Sequence, residues 1–156
     1  MTTTYALRAR ESTLEYVEAA GTPRWSLPIA SIILVVEYTT NEGPWADDYF
    51  LTFVTLEQGK LYFSTCPDPA GLEEVLSILQ QRLGSPIPLR LQGSTEWRSR
   101  VAWPNSMEGN EYFTFTEVPA KTLAEKLKKR MLGATQEYAV SNVVRGYLEE
   151  QLRTRA

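Results

Sequence analysis

The chain has 156 residues, of which 43% are hydrophobic and 22% are charged, as expected for one globular domain with room for an appended element. It contains no histidine and a single cysteine, Cys66, which excludes histidine-activated nucleophiles, an internal disulfide and the common zinc sites. A carboxylate-based metal-dependent enzyme stays as a minor alternative, but the three aspartates do not have the spacing of metal ligands. We therefore expect a protein that is not an enzyme and that has no cofactor and no metal site.

The net charge of −3 is unevenly distributed along the chain. Residues 1–119 carry 8 Lys and Arg against 15 Asp and Glu, a net charge of −7, whereas residues 120–156 carry 8 against 4, a net charge of +4. The isoelectric point of about 5.1 is the opposite of a basic nucleic-acid-binding footprint, so nucleic acid is disfavoured as a partner. The basic segment is expected to dock on the acidic body, on an acidic partner or on a membrane surface.

Membrane insertion is not predicted. The longest apolar run, Ile32–Val36, is much shorter than the roughly 20 residues that a membrane-spanning helix needs. The N-terminal sequence Met-Thr-Thr-Thr-Tyr lacks the basic start and apolar core of a signal peptide. We therefore expect a cytoplasmic protein.

The N-terminal part of the chain predicts an antiparallel sheet. β-Branched and aromatic residues are most concentrated between Trp25 and Cys66, so we expect this stretch to be core rather than a recognition surface. In residues 49–55 both alternating sets of side chains are largely apolar, which is typical of a strand covered on both faces. Glu57-Gln58-Gly59 is a hairpin signal. Strands are predicted over residues 5–10, 13–18, 25–27, 32–40, 49–55 and 60–65.

A helix is predicted over residues 69–83, directly after this sheet. Asp68 is a suitable N-cap, Pro69 suits the first helical position and Gly84 the C-terminal stop. Apolar residues recur along it at helical spacing, which predicts one buried stripe consisting of Leu72, Val75, Leu76, Leu79 and Leu83.

The remaining residues predict further strands and two helices. An edge strand is expected over Ile87–Leu91, and strands over residues 97–103 and 112–118. Helices are expected over residues 121–132 and 140–153. We therefore divide the chain into an α+β sheet domain, residues 1–118, and a helical C-terminal extension, residues 119–156, packed on it.

The order of elements in residues 5–84 resembles that of bacterial pleckstrin-homology-like (PH-like) domains, and Trp25-Ser-Leu-Pro-Ile-Ala-Ser-Ile32 is the stretch that carries the resemblance. The resemblance implies a strongly curved antiparallel sheet or partly open barrel, closed at one end by the capping helix 69–83. It also implies a binding or scaffold module. The family has seven strands before its helix and six are predicted here, so either residues 87–103 supply the seventh or the fold is a different α+β sheet.

Members of that family that bind phosphoinositides carry basic residues on the first two strands and the loop between them. Arg8 and Arg10 match this pattern, but Glu11 follows in the turn and Glu15 and Glu18 in the second strand. This composition argues against a phosphoinositide pocket.

Arg98 and Arg100, which lie between Trp97 and Trp103, are candidates for binding a small anionic ligand or a lipid headgroup. Strand alternation places both arginines and Ala102 on one face, with both tryptophans, Ser99 and Val101 on the other. The simpler interpretation, which we favour, is a half-buried strand whose arginines are in water.

The leading hypothesis is a non-catalytic protein-interaction or scaffold module with an unidentified protein partner. Trp45, in a loop, is a candidate contact because aromatic residues dominate interface hot spots, although it can equally fold back over the sheet. The basic amphipathic helix 121–132 is the second candidate, with Lys121, Lys128 and Lys129 away from its apolar side. Packing of this helix on the acidic body is favoured over a peripheral membrane contact, and a homo-oligomer stays open.

Overall fold

The computed structural model of this chain describes residues 5–18, 20–39, 49–67, 69–92, 98–116 and 137–155. They form an α+β fold with two antiparallel sheets, a two-stranded ribbon and two helices. None of the helices in these ranges is long and apolar enough to cross a membrane.

The first sheet has the strand order β1-β2-β3 and the second the order β6-β5-β4-β7. Their bounds are β1 Tyr5–Arg10, β2 Thr13–Glu18, β3 Pro23–Pro28, β4 Ile32–Thr39, β5 Tyr49–Glu57, β6 Lys60–Pro67 and β7 Arg98–Trp103. The ribbon consists of β8 Phe113–Thr116 and β9 Glu137–Val140, and the helices are α1 Leu72–Leu83 and α2 Asn142–Arg155. The two sheets are separate along their ladders, so they do not form a closed barrel in the described ranges.

Strands β4 and β5 are covered on both faces, which confirms the prediction from their apolar patterns. On β5, Leu51 and Phe53 belong to a first core between the two sheets, whereas Val54 belongs to a second core on the opposite face. On β4, Val35 belongs to the first core and Val36 to the second. Because both faces are buried, apolar residues are needed at consecutive positions and not only at every second one.

Helix α1 covers one side of the first core with Leu72, Val75 and Leu79, as its predicted stripe requires. It begins at Leu72, later than the predicted residue 69. The residue before it, Gly71, has φ of 80°, and a Cβ there would lie 3.0 Å from the carbonyl oxygen of Leu7. The left-handed conformation of Gly71, which favours glycine, is not helical, and the helix starts at the next residue. The predicted N-cap, Asp68, lies outside the described residues.

Helix α2 covers the second core with Val144 and Leu148. Its start is capped by Ser141, whose Oγ accepts a hydrogen bond from the Val144 N–H at 3.3 Å. The Tyr147 hydroxyl donates to the Ile33 carbonyl oxygen at 2.8 Å and ties the helix to β4. The prediction of a helix over 140–153 was right in kind, but residues up to Val140 belong instead to the unpredicted strand β9.

The predicted edge strand over Ile87–Leu91 is wrong, because these residues pair with no strand of the described chain. The side chains of Ile87 and Leu91 are nevertheless buried in the first core. In the described ranges six strands precede α1, as predicted, and a seventh, β7, follows the helix and pairs with β4. The predicted helix 121–132 lies outside the described residues.

The β5–β6 hairpin has a two-residue turn in which Gln58 and Gly59 have φ of 51° and 75°. Positive φ at both central residues defines a type I′ turn, which asparagine tolerates better than glutamine. We expect Gln58→Asn to raise the free energy of unfolding by about 0.4–1 kcal/mol. Urea unfolding followed by tryptophan fluorescence measures the change, and Gln80→Asn in α1 is a control that should not stabilise the protein. A loss of stability in Gln58→Asn would contradict this turn assignment.

Candidate functional site

Arg100 and Glu37 form an ion pair between neighbouring strands inside the protein. They lie directly opposite each other in the β4–β7 ladder. Glu37 is completely buried, Arg100 is 8% exposed, and Arg100 Nη1 lies 3.7 Å from Glu37 Oε1. Two charged groups at this depth are stable only when they have each other and further hydrogen bonds.

In addition to this ion pair, the Glu37 carboxylate accepts three hydrogen bonds. The backbone N–H groups of Arg90 and Leu91 both donate to Oε1, that of Arg90 at 2.7 Å, and the Tyr49 hydroxyl donates to Oε2 at 3.1 Å. In a strand the N–H groups of residues 90 and 91 would point to opposite sides, and only one of them would face a given neighbouring strand. Here both are given to one side chain, which explains why the predicted strand over 87–91 does not form.

The Arg100 guanidinium also donates two hydrogen bonds to other groups. Nη1 donates to the Pro88 carbonyl oxygen at 2.8 Å, and Nη2 donates to Glu108 Oε1 at 2.9 Å. Arg90 Nε lies 3.8 Å from the same Glu108 oxygen, and this second ion pair is at the surface of the protein. We call Glu37, Tyr49, Arg100 and Glu108 the buried polar cluster. It pins the segment that follows α1 against the sheet.

The prediction that the arginines of β7 lie in water is wrong for Arg100 and right for Arg98, which is exposed. Alternation is confirmed for Val101 and Ala102, which face opposite cores, but Trp103 packs on the same core as Ala102. The register of the β4–β7 ladder shifts between Val35 and Val36, and this irregularity places Trp103 on the side of the first core. The face that carries Arg100 is covered by the chain after α1, so it is not a water-exposed strand face.

The partners of Arg100 bear on the hypothesis that Arg98 and Arg100 bind a small anion. Arg100 already has two carboxylates and a carbonyl oxygen as partners, so its charge is compensated inside the fold. An added anion would have to displace them and be desolvated itself. Of the other predicted site residues, Trp45, Lys121, Lys128 and Lys129 lie outside the described residues.

Two tyrosines next to the second core have raised pKa values. Burial, with a smaller contribution from nearby Tyr38, raises the pKa of Tyr112 to about 12. Burial also raises the pKa of Tyr147, whose hydroxyl is bonded to β4. In both cases burial favours the neutral phenol, which suits a structural role.

An open cleft of about 690 Å³ lies between the start of α1 and the chain that follows it. Its rim includes Glu73 and Glu74, and Leu89 and Gln92 form part of its opposite side. The two carboxylates oppose the binding of phosphate or carboxylate groups at this helix start. Within the described ranges no group of three or more acidic or cysteine residues could hold a metal ion.

Among the residues that the structure describes, the most exposed aromatic side chains lie on β6, which is an edge strand of the second sheet. Tyr62 is 48% exposed and Phe63 is 51% exposed. The concentration of β-branched and aromatic residues between Trp25 and Cys66 predicts that this strand, like the rest of that stretch, is core. The outcome is a correction: β5 is covered on both faces, but β6 is not.

The hairpin geometry shows which backbone groups of β6 point away from β5. Glu57 and Lys60 flank the two-residue turn and pair with each other, and hydrogen-bonded and non-hydrogen-bonded pairs then alternate along the ladder. The N–H and C=O groups of Leu61, Phe63 and Thr65 therefore point outward. The Trp25 indole N–H donates to the outward Thr65 carbonyl oxygen at 3.1 Å, as this pattern requires.

We call residues 61–63 the open edge of β6. At one end the edge is bounded by the hairpin turn, and at the other by Trp25 on Thr65. No outward hydrogen bond from Leu61 or Phe63 is found among the described residues. The sequence carries one signal for it, a Leu-Tyr-Phe run directly after a hairpin turn.

Comparison with protein-family models, with curated proteins and with solved structures finds no match to this chain.

Proposed function

We propose that this protein is a non-catalytic protein-interaction module that binds an extended polypeptide segment along the open edge of β6. The observation that carries this proposal is the pair of adjacent half-exposed aromatic residues, Tyr62 and Phe63, on a strand with outward-pointing backbone groups. An added strand gains backbone hydrogen bonds from such an edge and buries the aromatic side chains. Monomeric proteins usually protect an edge with charges, proline or a bulge.

The state of the buried polar groups supports a non-catalytic role. Every buried side-chain nitrogen and oxygen in the described ranges has a hydrogen-bond partner. Glu37 and Arg100 compensate each other and hold the chain after α1. Groups engaged in this way stabilise a fold, whereas catalytic groups must be available to a substrate.

We also propose that residues 5–84 form a PH-like unit. The proposal is supported by the succession of six antiparallel strands and a helix whose apolar face covers the core between the sheets. In addition, β7 pairs with β4 and brings the number of strands in the two sheets to seven. Trp45 and the segment with Lys121, Lys128 and Lys129 remain proposed contacts for a protein partner.

Selection from a phage-displayed library of linear peptides tests the edge proposal. Peptides selected on the wild-type protein should bind Phe63→Lys at least about tenfold more weakly, a loss of about 1.4 kcal/mol in binding free energy. The reason is that lysine replaces one of the two exposed aromatic side chains and places a charge on the edge strand. Val143→Lys is the matched control, since Val143 is 55% exposed but lies on α2. Fluorescence anisotropy gives the affinities, and amide exchange should slow at Leu61 and Phe63 in the complex.

The proposal is overturned if the selection yields no binder and no other chain occupies β6. It is also overturned if the selected peptides bind Phe63→Lys as tightly as the wild type and no other chain occupies β6. Thermal unfolding of each variant verifies that the fold is retained.

A further inference from the structure

We propose that the strand added to β6 is β6 of a second copy of this chain, paired antiparallel across a twofold axis at Tyr62. This inference rests on the proposed function, because it names the occupant of the open edge. The second sheets of the two copies would then form one continuous eight-stranded sheet with the strand order β7-β4-β5-β6-β6-β5-β4-β7.

The limits of the open edge select one register for this pairing. In the stretch of β6 between the turn and the Trp25 contact at Thr65, Leu61 and Phe63 are the residues with outward groups. The two strands pair antiparallel about a twofold axis. The outward N–H and C=O groups of Leu61 and Phe63 in both copies form hydrogen bonds only when Leu61 lies opposite the second copy's Phe63. Tyr62 then lies opposite its own counterpart, in a non-hydrogen-bonded pair.

The side chains along this register are compatible with self-pairing. Residues 61–66 carry no charge, so no like charges are placed opposite each other, and Lys60 lies opposite Ser64. Thr65, with the Trp25 indole next to it, lies opposite Gly59, which has no side chain. On one face Leu61 meets Phe63, and on the other the two Tyr62 rings meet, so the exposed aromatic surface is buried by identical surface.

A folded strand suits this edge better than a free peptide does. The open edge offers outward backbone groups at two residues only, so few hydrogen bonds are available to compensate for the ordering of a flexible segment. The second copy's β6 is already held in strand conformation by eight residue pairs with β5. A second copy therefore binds with less loss of conformational entropy than a peptide with the same contacts.

The oligomeric state of the full chain tests this inference. Light scattering coupled to size exclusion, from low micromolar to several hundred micromolar protein, should show the mass rising from 17.7 kDa to about twice that value by mass action. Phe63→Lys should remain monomeric throughout, whereas Val143→Lys should dimerise like the wild type. A wild type that is monomeric at every concentration, or a dimer that persists in Phe63→Lys, would overturn the inference.

Disulfide trapping tests the register. In a Cys66→Ala background, Tyr62→Cys should cross-link to its counterpart under mild oxidation, because Cα atoms of a non-hydrogen-bonded pair are about 4.5 Å apart. Ser64→Cys should not, since two copies of residue 64 would be about 13 Å apart along the paired strands. A dimer that cross-links through residue 64 and not through residue 62 would contradict the proposed twofold axis.

The two proposals fail in distinguishable ways. If the chain is monomeric but selected peptides depend on Phe63, the second copy is the wrong occupant and the interaction module stands. If the chain is monomeric and no peptide depends on Phe63, both proposals are wrong.

Discussion

Arg100→Ala is expected to lower the free energy of unfolding by about 3–5 kcal/mol, the cost of removing one partner from a buried ion pair. The variant leaves the Glu37 carboxylate fully buried without its cation and the Pro88 carbonyl oxygen without its donor. It also releases Glu108 from the cluster. Since domains of this size are stable by about 5–15 kcal/mol, the loss is a large share of the total.

Equilibrium unfolding in urea, followed by tryptophan fluorescence, measures this loss. Arg98→Ala is the matched control, because it removes the same side chain two residues earlier on the same strand from an exposed position. We expect it to cost less than about 1 kcal/mol. Equal losses in the two variants would show that the buried polar cluster does not stabilise the fold in the way its geometry indicates.

Phe53→Ala is expected to lower the free energy of unfolding by about 3–5 kcal/mol, the usual cost of removing a large buried aromatic side chain. Phe53 is completely buried in the first core, where its ring centroid lies 5.9 Å from that of Trp25. Trp25 joins the first sheet to the second, so the cavity would open at the contact between the two sheets.

Phe63→Ala is the control for this prediction, since it removes the same side chain from the neighbouring strand of the same sheet. Phe63 is 51% exposed, and we expect a loss below about 1 kcal/mol. The same urea experiment compares the two variants. A loss in Phe63→Ala as large as that in Phe53→Ala would show that β6 is covered and would weaken both proposals about its edge.

Much of the fold could be predicted because its signals are local. The bounds of β1 and β2 coincide with the predicted ranges 5–10 and 13–18, and the Gln58-Gly59 turn lies where the hairpin was predicted. The stripe of α1 faces the core as expected. Turn chemistry and hydrophobic periodicity involve residues a few positions apart, so they can be read without knowing the fold.

The errors occur where a long-range contact decides the outcome. Residues 87–91 have an alternating pattern suited to a strand, but the N–H groups of Arg90 and Leu91 are taken by Glu37, more than fifty residues away in the chain. Alternation correctly separated Val101 from Ala102, yet it could not show that the face of Arg100 is covered. A local pattern identifies the face of a residue, but not what packs on that face.

By itself the sequence determined the α+β class, the strand succession from Tyr5 to Pro67, the hairpin and the amphipathic helix that follows. Only the tertiary structure decided that Arg100 is buried against Glu37 and that β6 is an edge with Tyr62 and Phe63 exposed. The physical reason is that strand order arises from pairing between distant segments. A run such as Leu-Tyr-Phe has the same local preference in a central strand as at an edge, and only the absence or presence of a neighbouring strand makes it core or contact surface.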